Sequence, residues 1–284
     1  MDNLELIKSV TEQHLDDDES NWFQQKLTKL EEDTSPRALY MAFATVPRFV
    51  SRNEMEFNAM EIQALTKVYP GFENSRWTKD EFCRLAFILH IPVDTNKTIL
   101  ENLFQTADLR ELEVLYKCLF FLDNASEFSR RAEEGVRSSM QNVFDAVTLN
   151  NPFASRYMGE DGWNQMVLKA VFMQRPLYQI VGIGEKANSK LASILSDYAH
   201  ERWAAKRVIT PELWRMMSGF VDERLFADLK RVIETDTPLA KEAAVKAIEE
   251  SDYQPAKDWL STNKIQASVH SWKEIGEQTE KTLI

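Results

Sequence analysis

Apolar residues recur at helical spacing along nearly the whole chain. No run of alternating apolar and polar residues predicts a strand, and the only short β-like or turn segment is 180–184. Glycine occurs 8 times and proline 9 times in 284 residues, whereas average usage of about 7% and about 5% would give roughly 20 and 14. The sequence therefore predicts an all-α protein.

Helix starts are marked by prolines that follow an N-cap residue and by one capping box. Ser-Pro or Thr-Pro pairs at 35–36, 210–211 and 237–238 place proline at the first helical position, where its missing N–H costs nothing. Thr78 and Glu81 have the spacing of a capping box. These signals and the periodicity predict helices at 3–15, 18–32, 36–50, 53–69, 79–90, 96–106, 109–122, 127–148, 161–174, 188–207, 211–218, 222–235 and 238–250.

Helices of this length joined by short connections are typical of successive antiparallel pairs. No fixed-period sequence repeat marks a tetratricopeptide or ankyrin array. We therefore expect an irregular α-solenoid, a multi-helical array of antiparallel helix pairs that is HEAT-like in style.

The formal net charge of −11 lies almost entirely in the first half of the chain. Residues 1–150 carry 16 basic and 26 acidic side chains, whereas residues 151–284 carry 18 and 19. Because a negative surface repels phosphate backbones, we expect no nucleic-acid partner. Composition divides the chain into three parts. We expect an acidic helical half at 1–150 and a second helical half at 151–250 that packs on it as one array. Residues 251–284 are expected to form a polar, partly mobile tail with Trp259 and Trp272 as anchors.

No segment has the pattern of a signal peptide or a membrane span. The N-terminus lacks a basic stretch followed by an apolar run, and the most apolar stretch, 112–122, is interrupted by Glu113 and Lys117. We therefore expect a cytoplasmic protein without a transmembrane segment. Cys83 and Cys118 lie within apolar helical patterns and are predicted to be reduced core thiols.

The segment 163–175 contains polar residues within an apolar helix. Trp163 lies on a broad apolar side and Phe172 on the opposite one, which predicts a helix buried nearly all round. Asn164 and Lys169 must then find partners, because an unpaired buried polar group costs about 1–3 kcal/mol. Lys169 is interpreted either as a side chain that reaches water over its apolar stem or as an anion-binding or substrate-contacting group. Asn164 is interpreted as tying down a neighbouring backbone segment or as part of the same site.

The segment 188–207 carries an arginine on its apolar face. With Leu191 as the angular origin, Tyr198 and Arg202 fall within about 20° of it, so Arg202 is expected to point inward. Its guanidinium then needs a carboxylate, backbone carbonyls or an anionic ligand. An internal salt bridge and the binding of a carboxylate or phosphate group both remain open.

Three titratable residues of the same helix have a spacing that permits acid/base chemistry. Asp197, His200 and Glu201 lie at i, i+3 and i+4. No paired-histidine pattern, nucleophile elbow, phosphate-binding loop or cysteine ligand set is present, so we expect neither a metal nor a cofactor, and catalytic residues cannot be assigned.

Several sequence blocks in the second half resemble the EboA-domain family. They are Asn151-Pro152, the block 163–170 (WNQMVLKA), the turn 175–182, the block 197–205 (DYAHERWAA) and the run 211–215 (PELWR). The positions that match the family pattern are Asn151, Trp163, Asn164, Lys169, Asp197, Tyr198, Glu201 and Arg202. The resemblance implies a bacterial cytoplasmic protein that is encoded beside enzymes of a secondary-metabolite biosynthesis or export cluster. The family has no assigned activity, so the resemblance transfers no catalytic residue.

Two hypotheses follow for function. In the first, the chain is a helical accessory protein that binds a partner enzyme of the same gene cluster or a small anionic metabolite near the 163–175 and 188–207 helices. In the second, it is an enzyme of unrecognised type that acts on a phosphate- or carboxylate-bearing small molecule. Candidate binding residues in both hypotheses are Asn151, Trp163, Asn164, Lys169, Asp197, Tyr198, His200, Glu201 and Arg202.

Overall fold

A computed structural model describes residues 2–283, and over that range it contains sixteen α-helices, six 3-10 helices and no β-strand. The predicted all-α class is confirmed. The α-helices are α1 (Asn3–His14), α2 (Asp17–Glu32), α3 (Pro36–Thr45), α4 (Ala59–Val68), α5 (Lys79–Leu89), α6 (Val93–Thr106), α7 (Leu109–Cys118), α8 (Ser129–Arg137), α9 (Gln141–Thr148), α10 (Phe153–Tyr157), α11 (Glu160–Phe172), α12 (Ser189–Ala204), α13 (Glu223–Thr235), α14 (Pro238–Glu250), α15 (Gln254–Thr262) and α16 (Trp272–Leu283). The 3-10 helices are Val46–Arg48, Phe72–Asn74, Leu119–Phe121, Ala125–Phe128, Leu177–Gln179 and Pro211–Phe220.

The proline signals locate helix starts correctly but do not define helix type. The Ser35 and Thr237 side chains accept from the N–H groups of Ala38 and Ala240, so α3 and α14 begin where predicted. The helix that follows Thr210 is a 3-10 helix rather than the α-helix expected at 211–218. The missing proline N–H is tolerated at the first position of either helix type, so this signal cannot distinguish them.

Two long predicted helices are interrupted and a third begins later than expected. The helix predicted over 36–50 changes to 3-10 geometry at Val46 because Pro47 has no N–H to donate to the carbonyl of Phe43; that carbonyl accepts from Arg84 Nε at 3.3 Å instead. The predicted 53–69 helix begins only at Ala59, since Glu54 forms an isolated β-bridge with Thr78. The predicted 127–148 helix is broken between α8 and α9.

The chain divides into two compact units, Met1–Met158 and Gly159–Ile284. The first unit contains a cluster of buried aromatic rings, among them Tyr69, Phe72 and Trp77. Cys83 and Cys118 are free and buried in this unit, and burial raises the pKa of both thiols. They are therefore reduced core cysteines, as the sequence predicts.

The second unit has a core built from α11, α12, α14 and the Pro211–Phe220 helix. Its members are fully buried and mostly aliphatic or aromatic: Trp163, Met166, Val167, Leu191, Leu195, Trp214, Met216, Ala243, Ala244 and Ala247. This core fixes the face that α11 and α12 turn inward, and it thereby determines which of their residues remain at the surface.

The segment after residue 250 forms two helices, α15 and α16, where weak periodicity predicted none. Trp272 is buried at the start of α16, and its indole N–H donates to Glu250 Oε2 at 2.8 Å. The ring of Trp259 on α15 meets that of Phe226 at a centroid distance of 5.8 Å. Both tryptophans therefore anchor this segment within the second unit. Among the described helices, none combines the length and apolar character that a membrane span requires.

Candidate functional site

An open groove with a volume of about 560 Å³ lies between α11 and α12 in the second unit, and we call it the α11–α12 groove. Its lining residues are Gln165, Leu168, Lys169, Phe172, Tyr198, Glu201, Arg202, Ala205 and Arg207. Four of the residues predicted from sequence as binding candidates are therefore brought together here, namely Lys169, Tyr198, Glu201 and Arg202.

Helical spacing explains why these residues share one surface. The α11 residues 165, 168, 169 and 172 follow the pattern i, i+3, i+4 and i+7, and residues 198, 201, 202 and 205 of α12 and its C-cap repeat that pattern. The opposite faces of both helices enter the core through Trp163, Val167 and Leu195. Two matching surface stripes thus form the walls of the groove.

The prediction that the 163–175 helix is buried nearly all round is wrong. Leu168 is half-buried, and the Phe172 side chain is 71% exposed at the groove. The expectation that Arg202 points into the aliphatic interior is also wrong, because Arg202 is half-buried in an open groove. The apolar face of α12 ends at Ala199, so the last turn of the helix extends beyond the core.

Arg202 is held by a backbone carbonyl rather than by a carboxylate. Its Nε and Nη2 groups donate to the carbonyl oxygen of Val208 at 3.1 and 2.8 Å. The guanidinium carbon lies 5.9 Å from the centroid of the Tyr198 ring. A guanidinium has five N–H groups, and within residues 2–283 the other three have no hydrogen-bond acceptor or carboxylate partner. Those three groups remain available to a ligand.

A helix-ending turn brings a third cation to the groove. Lys206 adopts a left-handed conformation with φ of 53°, and the N–H of Arg207 donates to the carbonyl of Arg202 at 2.8 Å. The chain therefore reverses directly after α12 and returns Arg207 to the same surface. Sequence analysis missed Arg207 because nothing in the helical pattern predicted this turn.

The groove is positively charged in a chain whose net charge is −11. Lys169, Arg202 and Arg207 supply three positive charges, and Glu201 supplies one negative charge. Partial burial lowers the pKa of Lys169, because desolvation disfavours its charged form. The local electrostatics favour an anion that can also contact aromatic and aliphatic side chains.

Asn164 and Trp163 lie on the buried side of α11, away from the groove. The side-chain amides of Asn164 and Asn188 exchange two hydrogen bonds, at 2.8 and 3.2 Å. Asn188 also caps α12 by accepting from the N–H of Leu191. Trp163 is fully buried, with the Lys186 ammonium 5.1 Å from its ring centroid. Asn164 therefore connects α11 to the start of α12.

Asn151 belongs to the first unit and performs a backbone-capping role there. Its amide group donates to the carbonyls of Ala146 and Tyr116, and its side-chain oxygen accepts from the N–H of Phe153. These bonds fix the connection between α9 and α10.

Two of the three titratable residues predicted on α12 face α13 instead of the groove. Asp197 forms a surface ion pair with Arg224 at 2.6 Å. His200 Nε2 lies 2.7 Å from Oδ1 of the buried Asp228, whose Oδ2 accepts from the Ser196 hydroxyl at 2.9 Å. Because Ser196 donates to the aspartate rather than to the histidine, these groups fasten α12 to α13 and do not form a nucleophile–base pair.

Within residues 2–283, no group of three or more His, Cys, Asp or Glu side chains is arranged to hold a metal ion. Glu201 is the titratable acid that lines the α11–α12 groove. The chemistry that the groove supports is therefore recognition of an anionic group by two arginines and a lysine, with an apolar portion of the ligand against Phe172 and Tyr198.

Comparison with known proteins identifies a family. The sequence model of the family described as metabolite traffic protein EboA matches residues 3–218. No curated protein and no solved structure matches the chain. The family match spans most of the chain and includes both α11 and α12. The chain therefore belongs to the EboA family.

Proposed function

We propose that this EboA-family protein binds a small anionic metabolite in the α11–α12 groove and acts as a non-catalytic carrier in metabolite traffic. The observation that carries the proposal is the convergence of Lys169, Arg202 and Arg207 with the exposed ring of Phe172 on one open surface. The family description, which refers to metabolite traffic, supports a role of this kind.

The chemistry of the groove defines the class of ligand. The unused N–H groups of Arg202 suit a carboxylate, sulfate or phosphate oxygen, and Lys169 adds a second positive charge. Phe172, Tyr198 and Leu168 offer apolar surface to the body of the ligand. The volume of about 560 Å³ falls within the range of small-molecule sites. The ligand is therefore an amphiphile with one anionic group.

The finer expectations belong to the same proposal. We propose a bacterial cytoplasmic protein that works beside the enzymes of a secondary-metabolite biosynthesis or export cluster, as the family resemblance implies. In that setting the open groove would hold the metabolite until a partner enzyme of the cluster accepts it. The 71% exposure of Phe172 supports such a transfer, because a partner could reach the ligand from the open side of the groove.

Octyl sulfate is a suitable probe, because it is anionic at every working pH and carries an apolar chain. We expect the full-length protein to bind it in isothermal titration calorimetry, and Lys169→Ala/Arg207→Ala to bind it about a hundredfold more weakly, at roughly tenfold per lost charged contact. Arg202 is left intact in this variant because it also holds the Val208 carbonyl.

The matched control is Lys190→Ala/Arg224→Ala. It removes two positive charges from the same unit, and both side chains form exposed ion pairs, with Asp161 and Asp197, that contribute little to stability. Unchanged octyl sulfate binding in this control supports the proposal. Equal losses in the two double variants, or no loss in the groove variant, would contradict it.

A further inference from the structure

A second cavity, with a volume of about 550 Å³, lies in the second unit, and we call it the Glu212 cavity. Four separate segments line it: the turn after α11, residues 208–212, the start of α14, and α16. Pro176, Ile209 and Leu239 contribute to its largely apolar wall. The α16 wall lies outside residues 3–218, the part of the chain that matches the family.

One buried carboxyl group lies at the wall of this cavity. Glu212 is only 3% exposed, and the backbone N–H of Leu177 donates to its Oε2 at 3.2 Å. The N–H of Tyr178 also hydrogen-bonds to the carboxyl. Since an ionised carboxylate can accept about four hydrogen bonds, these two donors leave acceptor capacity for a further group.

The backbone of α16 closely approaches the same carboxyl. A Cβ atom added at Gly276 would lie 2.8 Å from Glu212 Oε1, so only glycine allows the helix to approach this closely. Burial raises the pKa of Glu212 from its ordinary value of 4.5 to about 7. The carboxyl is therefore costly to ionise, although the positive charge of Arg215 offsets part of this effect.

The other charges of the cavity are also mostly negative. Glu280 on α16 and Asp236 before α14 line the wall together with Glu212, and Arg175 is the cation among the lining residues. The Tyr178 hydroxyl donates to Glu280 Oε2 at 2.8 Å and so holds this carboxyl beside the cavity. Arg215 and Glu280 act electrostatically on Glu212. Arg175 and Asp236 line the same cavity, and the Tyr178 hydroxyl is bonded to Glu280.

We propose that the Glu212 cavity is a second binding site, distinct from the α11–α12 groove, for a small ligand that carries an ammonium group on an apolar body. The ammonium donates to Glu212 and is attracted by Glu280, while the apolar body packs against Pro176, Ile209 and Leu239. The binding of a cation at an already desolvated carboxylate compensates the cost of burying that charge. No proton or electron transfer is required.

The simplest competing explanation is that Glu212 only holds the turn at Leu177. Glu212→Gln separates the two roles, because the amide oxygen of glutamine can still accept from the Leu177 N–H while the negative charge is lost. Asp228→Asn is the matched control, since Asp228 is an equally buried carboxyl in the same unit that lies outside the cavity.

The experiment compares n-octylamine with n-octanol by calorimetric titration at pH 8 on the full-length chain. We expect octylamine to bind wild type and Asp228→Asn at least tenfold more tightly than octanol, and to lose that preference in Glu212→Gln. Absence of octylamine binding, an unchanged preference in Glu212→Gln, or an equal loss in Asp228→Asn would overturn the proposal.

Leu239→Trp provides a test that does not depend on the charge of Glu212. The half-buried Leu239 lines the apolar wall, so an indole at this position should fill the cavity. We expect octylamine and octanol binding both to fall at least tenfold and octyl sulfate binding to stay within twofold. Undiminished octylamine binding contradicts the cavity proposal, whereas the proposed function depends on octyl sulfate alone, so the two proposals can fail separately.

Discussion

The α11–α12 groove and the Glu212 cavity have nearly equal volumes, about 560 and about 550 Å³, and opposite charge. Three cations and one acid line the groove, whereas three acids and one arginine line the cavity. Consecutive parts of the same two segments contribute to both, since the walls change from groove to cavity after Phe172 and again after Arg207. Two short connections, one after Phe172 and one after Arg207, therefore separate two pockets whose lining residues carry opposite net charge.

The largest expected effect is a difference between the carboxyl groups of Glu212 and Glu201 in what each contributes to the free energy of unfolding. The pKa of Glu212 is about 7 in the folded chain, whereas its ordinary value is 4.5, so the native state holds an extra proton between these pH values. Stability from this group is therefore full below about pH 4.5 and is lost as the pH rises through 7, by about 3 kcal/mol.

Glu212→Gln should accordingly raise the free energy of unfolding at pH 8 by about 3 kcal/mol. Glu201→Gln, which neutralises the exposed carboxyl of the groove, should change it by no more than about 0.5 kcal/mol. Urea unfolding of both variants at pH 5 and pH 8 measures this difference. A Glu212→Gln curve that matches wild type at pH 8 would show that the burial of this charge has no energetic consequence.

The next effect is an opposite response of the two sites to pH. Octylamine stays positively charged between pH 6 and 8, while Glu212 loses its proton near pH 7, so octylamine affinity should rise about tenfold over this interval. Octyl sulfate binding should not rise; it should weaken at high pH as Lys169 deprotonates, at a lower pH than an ordinary lysine. Calorimetric titrations at several pH values test both trends, and parallel trends for the two probes would refute the assignment.

The smallest effect concerns Arg202, which lines the groove and bonds to Val208 in the cavity wall. Arg202→Lys keeps the positive charge in the groove but loses the double hydrogen bond to the Val208 carbonyl, at an expected cost of about 1 kcal/mol in the free energy of unfolding. Arg207→Lys serves as the control, because Arg207 is exposed and, within residues 2–283, its side chain makes no hydrogen bond to a backbone carbonyl like that of Arg202 to Val208. Denaturant titration should resolve the two variants; equal midpoints would assign no stabilising role to the Arg202 contact.

Regular helical spacing is the part of the molecule that sequence predicts well. The all-α class and the starts of α3 and α14 follow from periodicity and from proline pairs, which act over a few neighbouring residues. The same periodicity placed Lys169, Tyr198, Glu201 and Arg202 on two helices whose surface stripes meet in one groove. Their binding role remains a prediction.

The features of the two pockets that could not be predicted from sequence depend on tertiary contacts. The exposure of Phe172 and the emergence of Arg202 from the core depend on where the neighbouring elements end, and the position of Arg207 depends on a left-handed turn at Lys206. The Glu212 cavity combines four segments that are distant in sequence. No local pattern relates Glu212 to Gly276, which lies 64 positions later in the chain.

The contact between the Arg202 guanidinium and the Val208 carbonyl directly connects the groove to the wall of the cavity. Val208 lines the cavity, whereas Arg202 lines the groove. An anion that displaced the carbonyl from Arg202 would alter the support of the cavity wall. Thermodynamic linkage would then require the ammonium ligand to change anion affinity by the same factor. Release of one cargo on arrival of another would need no large domain movement, only the exchange of two hydrogen bonds.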